Sequence, residues 1–223
     1  MPGRFSPKGP LGSRLVCADC GVFFGAKTWH SSDPYKTVIW RCNDKYRPGI
    51  ERKSGGEKCC TGHVTEAKVM AAFQKIVAGL IARKPEVVET CEVLLRELLN
   101  GDALDEKGKR LEKEGDAIAK EIEALVEQQA RGTVEGFAEK YQELEKRYRR
   151  IEDKLKAVAT DRQDRAYRAK QIELFLETIK QISDGAKLES VELFMALVDR
   201  VIVDDGLTFV LRDGSEQKVN GVR

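Results

Sequence analysis

Five of the six cysteines in this 223-residue chain fall within its first sixty positions. Cys17 and Cys20 form a Cys-x2-Cys pair, Cys42 follows in "WRCN", and Cys59 and Cys60 close the series, with His63 just beyond. Such a pair can grip a metal or cycle as a redox dithiol. A redox dithiol needs a βαβ setting, and no alternation of that kind surrounds Cys17 and Cys20. Two more cysteines downstream, in a basic and aromatic segment, point to structural zinc. Such an ion takes four tetrahedral ligands, with thiolates at about 2.3 Å. Cys17, Cys20 and Cys42 supply three of them. The fourth is open among Cys59, Cys60 and His63, because a long Gly/Lys-rich loop can return any of them to Cys42 at modest entropic cost. Adjacent cysteines rarely both bind one ion, so one of the pair is spare. A site of this kind is closed and non-catalytic, and it folds a segment too short to fold by itself. Cys91, on an amphipathic stretch, reads as core, and His30 reads as a surface or DNA-facing residue and not as a ligand.

The elements that must position these ligands follow from composition. Residues 1–14 are Gly, Pro and basic, and read as a linker or leader. Residues 15–101 carry the cysteines, short β-like pieces such as "KTVIWRC", and two helices. In the first helix Thr65 is a plausible N-cap and Val69, Phe73, Ile76, Val77 and Leu80 follow at helical spacing, up to Pro85. The second runs from Glu86 to Leu99, with Val88, Cys91, Leu95 and Leu98 on one face, and Gly101 stops it.

Residues 102–184 form a long helical arm. Leu104, Leu111, Ile118 and Leu125 recur every seven residues, and Phe137, Tyr141, Leu144, Tyr148, Ile151, Leu155 and Val158 step by four and three. Each seam needs a partner helix, so an antiparallel coiled coil is expected, with Gly132 making the reversal and Thr133 capping the second helix. Gly108 and Gly115 read as hinge points, since each costs about 1 kcal/mol against Ala. A separate helix is expected around Ile172, Phe175, Leu176, Ile179 and Ile182.

Residues 185–223 read as a helix from Leu188 to Asp199 and a β-meander turning at Asp205-Gly206 and Asp213-Gly214. Three strands need something to bury their apolar face, and the other β-rich piece is N-terminal, so the two ends are expected to meet. The fold class is therefore α+β: a zinc β-ribbon and a small antiparallel meander with helices, carrying an inserted antiparallel coiled-coil arm.

Net charge hides an asymmetry. Residues 1–64 hold eleven Lys and Arg against five Asp and Glu, and the remainder holds 28 against 32. The cysteine-containing end is thus the basic one and suits a phosphate polyanion. No apolar run is long enough to span a membrane. With no apolar secretory core at the start, a reducing cytosol is expected.

The strings "SRLVCADCG", "GAKTWHSS", "YKTVIWRCNDKY" and "KCCTGHVTE", in that order, resemble the recombinase zinc β-ribbon of the large serine recombinases, which are site-specific integrases and transposases of mobile elements. The resemblance extends through the helices to "LVDRVIVDDGLTFVLRDG" and covers Ser13 to the C-terminus. The family's fourth cysteine lies two residues before a Thr and four before a His, which implies Cys59 ahead of Thr61 and His63. In that family the catalytic serine domain precedes this region. The chain is therefore expected to bind DNA without cutting it, as a C-terminal module associated with the nucleoid. The resemblance implies double-stranded DNA of an attachment half-site as one partner and other recombinase subunits as another. Lys36, Arg41, Lys45, Arg47, Arg52 and Lys53 are the candidate DNA contacts, and Trp29 and Trp40 are expected in the ribbon core. Gln129, Arg131, Thr133 and Val134, at the expected tip of the arm, are the candidate subunit contacts. The competing reading is a free-standing zinc-ribbon adaptor whose coiled coil binds a protein.

Overall fold

The computed structural model describes residues 9, 11–30, 32, 34–49, 51–56, 58–182 and 190–221. Most of the expected leader and the start of the helix expected at Leu188 lie outside the described residues. The fold is α+β, and the chain divides into two compact units, residues 1–92 with 171–223 and residues 93–170.

The first unit is built on a mixed sheet. Strands β4 (Val198–Val203), β5 (Leu207–Leu211) and β6 (Glu216–Val219) form an antiparallel meander, and β1 (Leu15–Cys17) joins its edge in parallel with β4, Leu15 opposite Val201. That strand is where the β structure of the two ends of this unit meets. Strands β2 (Phe24–Trp29) and β3 (Thr37–Cys42) form a separate antiparallel ribbon. Arg14 fastens β1 by donating from its guanidinium to the carbonyls of Val198 and Asp199. Val201, Val203, Leu207, Phe209 and Leu211 alternate along the meander and are buried. Helix α1 (Glu66–Ala82) covers them, with Phe73 edge-on to Phe194 at 5.2 Å and stacked on Phe209 at 6.4 Å. Burying each such ring contributes about 1.5–3 kcal/mol.

Local chemistry explains the helix ends. The Thr65 hydroxyl accepts the Lys68 N–H at 3.3 Å and caps α1. Helix α1 stops at Ala82, short of Pro85 as expected, and Pro85 itself lies in the first turn of α2 (Lys84–Leu99), where a missing N–H costs nothing. The expected helix over 188–199 is the shorter α5 (Val191–Leu197), capped by Ser190. Val198 is already extended, because the β-branched run Val198, Val201, Ile202 and Val203 is drawn into pairing with β5.

The second unit rests on α3 (Asp102–Arg131) and the first part of α4 (Phe137–Gln181). The two lie antiparallel: Arg162 pairs with Asp105 at 2.7 Å, and Arg147 with Glu121 at 3.3 Å. Leu111 and Ile118 bury against Ile151 and Val158, flanked by Ile122, Leu144, Tyr148 and Leu155. Three expectations change here. Gly108 and Gly115 are not hinges, because α3 runs unbroken through both. They are buried seam positions facing α4, where a Cβ would stand 3.5 Å from Ile151 at Gly115 and 3.0 Å from the Arg162 guanidinium at Gly108. Thr133 does not cap the second helix; that helix begins at Phe137, after Gly136 takes the left-handed φ of +67° that the reversal needs. The separate helix expected near Ile172 is the second half of α4, since neither Gly nor Pro interrupts 137–181. At its end the Lys84 ammonium donates to the Lys180 and Ile182 carbonyls at 3.0 and 2.9 Å, satisfying acceptors that a helix leaves open.

The seam predicts a sign. Gly115→Ala fits in ordinary contact distance of Ile151 and should stabilise the helical unit by about 1 kcal/mol through helix propensity. Gly115→Leu should destabilise it by about 1–3 kcal/mol through overpacking. Thermal melts of the helical circular-dichroism signal distinguish the two. A true hinge would accept both changes alike.

Candidate metal centre

The first turn of the site is set by β1, which delivers Cys17, and by Gly21. The Gly21 N–H donates to the Cys17 carbonyl and the Cys17 N–H to the Val22 carbonyl, both at 2.9 Å. This closed loop requires a left-handed residue, and Gly21 sits at φ +72°. The ribbon then returns the chain, placing Cys42 opposite Phe24. A second turn starts there, with the Lys45 N–H donating to the Cys42 carbonyl at 3.4 Å. Backbone bonds stitch the long loop that follows back toward the ribbon. The Cys59 N–H donates to the Lys45 carbonyl at 3.0 Å, and Trp40 and Val64 exchange backbone bonds of 2.7 and 2.9 Å.

These turns bring the sulfurs of Cys17, Cys20, Cys42 and Cys59 within 4.8 Å of one another. Cys17 and Cys59 are 3.2 Å apart, and Cys20 and Cys42 3.4 Å. A tetrahedron of thiolates at about 2.3 Å from an ion has edges near 3.8 Å, so the cluster could hold one metal ion. Cys59 is buried in it while Cys60 is exposed. His63 is exposed and lies against Trp29, ring centres 4.7 Å apart. The choice left open among these three is therefore settled for Cys59. Neighbouring side chains of an extended segment face opposite ways, so when one sulfur points inward the next points out.

Crowding separates the thiols electrostatically. A hydrogen bond from Cys42 holds Cys17 down to about 4, against the cost of burial and with help from the Thr61 hydroxyl at 3.1 Å. The same bond, with burial, pushes Cys42 well up, and burial carries Cys59 up to about 11. A metal ion binding there would displace the remaining thiol protons. Cys91, outside the cluster, is core, and burial raises it to about 11.

The structure adds residues that spacing did not reveal. Asp19, between the two ligands of the first turn, is only 7% exposed and accepts the N–H groups of Ser54 at 2.8 Å and Cys60 at 3.3 Å. Burial disfavours its charge, but those donors outweigh it and hold the carboxyl below the usual range. An acidic residue inside a ligand pair of a basic segment was the available signal.

The candidate DNA contacts divide by environment. Lys36, Arg47 and Lys53 are exposed, Arg47 with Asp44 at 3.5 Å. Arg41 is half-buried over the Tyr46 ring, 5.3 Å from its centre. Lys45 donates to the Thr61 carbonyl at 3.0 Å, and Arg52 is buried and donates to the carbonyls of Asp44 and Arg47 at 3.1 and 2.8 Å, so these two brace the loop. Trp40 is buried as expected, but Trp29 is 40% exposed, because it lies at the far end of β2, whose burial fades away from the cysteines. Among the candidate subunit contacts, Arg131 and Thr133 are exposed. Val134 is half-buried, and its N–H is taken by the Gln129 side chain at 2.8 Å.

Metal analysis should find one ion per chain. Cys17→Ser, Cys20→Ser, Cys42→Ser and Cys59→Ser should each weaken or abolish binding, and Cys60→Ser should leave it intact. Binding should release protons and fail as pH drops, because each bound sulfur must stay deprotonated; titration with a chromogenic chelator across pH checks the sign. Comparison of the chain with protein-family models, with curated proteins and with solved structures gave no match.

Proposed function

We propose that this chain is the DNA-binding and synapsis-controlling module of a site-specific serine recombinase, folded around one structural zinc and supplying binding, not strand cutting. The observation that carries this reading is the convergence of Cys17, Cys20, Cys42 and Cys59 in a basic segment of the chain. An all-sulfur, four-ligand set suits zinc, which folds such segments without taking part in chemistry. Lys36, Arg47 and Lys53 are exposed on the same segment, and Arg41 with Tyr46 pairs a guanidinium with a ring. Exposed cations of this density bind phosphates and position a protein on a duplex, while an arginine among them reads a guanine edge. In this reading the α3–α4 pair is a coiled-coil arm whose turn, with Arg131 and Thr133 exposed, meets another subunit.

A second reading has its own support. A groove on the helical pair is floored by Ala124, Leu125 and Leu144 and edged by Glu121 and Glu143. An adaptor that binds a protein through its helices would use such a groove.

Gel shifts with duplex DNA flanking the source element should show binding that weakens steeply with salt. Arg47→Ala should reduce the slope of log affinity against log salt by about 0.9, the loss of one phosphate contact. Leu125→Lys should leave this binding unchanged. Absence of salt-dependent DNA binding, together with a protein partner lost in Leu125→Lys, would replace the recombinase reading with the adaptor.

A further inference from the structure

The loop that carries Arg47 and Lys53 has little apolar anchorage: of the described residues from 43 to 58, only Arg52 is buried. Its anchorage is polar and converges on one side chain. The Ser54 N–H reaches one Asp19 carboxylate oxygen at 2.8 Å, and the Cys60 N–H reaches the other at 3.3 Å. The Lys53 N–H donates to the Asp19 main-chain carbonyl at 2.9 Å. Three donors spread over residues 53–60 therefore end on a residue that stands between two metal-binding sulfurs. A carboxylate as buried as Asp19 is tolerable only with donors of this kind, so the loop and the carboxylate need each other. Arg52 then sets the rest of the loop by holding the Asp44 and Arg47 carbonyls.

From this geometry we propose that Asp19 is a positioning residue that makes the conformation of the 51–60 loop depend on the metal. With the Cys17 and Cys20 sulfurs held at one point, the two residues between them have no freedom, and the Asp19 carboxylate is presented at a fixed place. Without the ion the turn relaxes, the carboxylate moves toward water and is lost as acceptor for the Ser54 and Cys60 N–H groups, and the Asp19 main-chain carbonyl shifts away from the Lys53 N–H. The consequence for binding rests on the DNA reading above: the metal, though remote from any phosphate, would govern how Arg47 and Lys53 are displayed.

Hydrogen exchange and limited trypsin digestion of the full chain test this, with zinc alone as the probe. In the wild type, removing zinc should speed exchange at Ser54 and Cys60 and cleavage after Lys53. In zinc-loaded Asp19→Asn the same sites should open about tenfold or more with the ion still bound, the loss expected for hydrogen bonds to a charged group. If Asp19→Asn does not retain zinc, Ser54→Pro, which deletes one donor outright, serves in its place, with the opening read by exchange at Cys60 and by cleavage after Lys58, because a Lys–Pro bond resists trypsin. Equal protection of the loop in the loaded variant and the wild type would overturn the proposal. So would a wild-type loop indifferent to zinc. Duplex binding is measured in parallel. If the loop opens and DNA affinity does not change, the coupling stands and the assignment of the loop to DNA falls.

Discussion

Convergence of four sulfurs from three distant stretches of chain is the constraint on which the N-terminal region depends. Ribbon β2–β3 is buried only near the cysteines and exposes Trp29 and Val38 toward its far end. A two-stranded ribbon is marginal in water by itself, and the loop between Cys42 and Cys59 adds closure entropy without adding a core. Hydrogen bonds from Cys59 to Lys45 and between Trp40 and Val64 bring the loop back. An ion across the sulfurs would lock that arrangement at the point where the backbone turns are tightest.

The remainder of the first unit has the opposite character. It is held by buried apolar side chains, among which Phe73, Phe194 and Phe209 interlock between α1, α5 and the meander. Strand β1 links the two regimes, since Leu15 is buried and pairs with Val201 while Cys17, two residues on, reaches into the sulfur cluster. A strand alternates its faces with a period of two, so residues 15 and 17 point the same way. One short strand can therefore serve both as sheet edge and as carrier of a cysteine of the cluster.

Close approach governs the helical unit. Small residues at Gly108 and Gly115 leave room for Val158, Arg162 and Ile151 of the facing helix. The helix-propensity cost of a glycine is about 1 kcal/mol, which closer packing of the aliphatic side chains opposite can offset. The cross-helix ion pairs, being solvent-exposed, each contribute less than about 1 kcal/mol. They fix antiparallel register more than they hold the pair together.

Periodicity and spacing by themselves determined a good deal: the α+β class, the Thr65 cap, the apolar face of α1, the central positions Leu111, Ile118, Ile151 and Val158 that α3 and α4 bury, the turns at 204–206 and 213–214, and three of the clustered cysteines. These are short-range properties, since a cap, a turn or a helical face is decided by residues within a few positions. Resemblance pointed to Cys59 as the fourth, but only the folded chain showed it buried and Cys60 exposed. Tertiary structure also decided that Gly108 and Gly115 are seam positions, that 137–181 is one helix, that Val198 leaves its helix for a strand, and that Arg52 and Lys45 brace a loop. In each case the deciding partner lies far away in the chain: Ile151 for Gly115, Leu211 for Val198, Asp19 for Ser54. A pattern read along one segment contains no term for a partner that folding alone brings near.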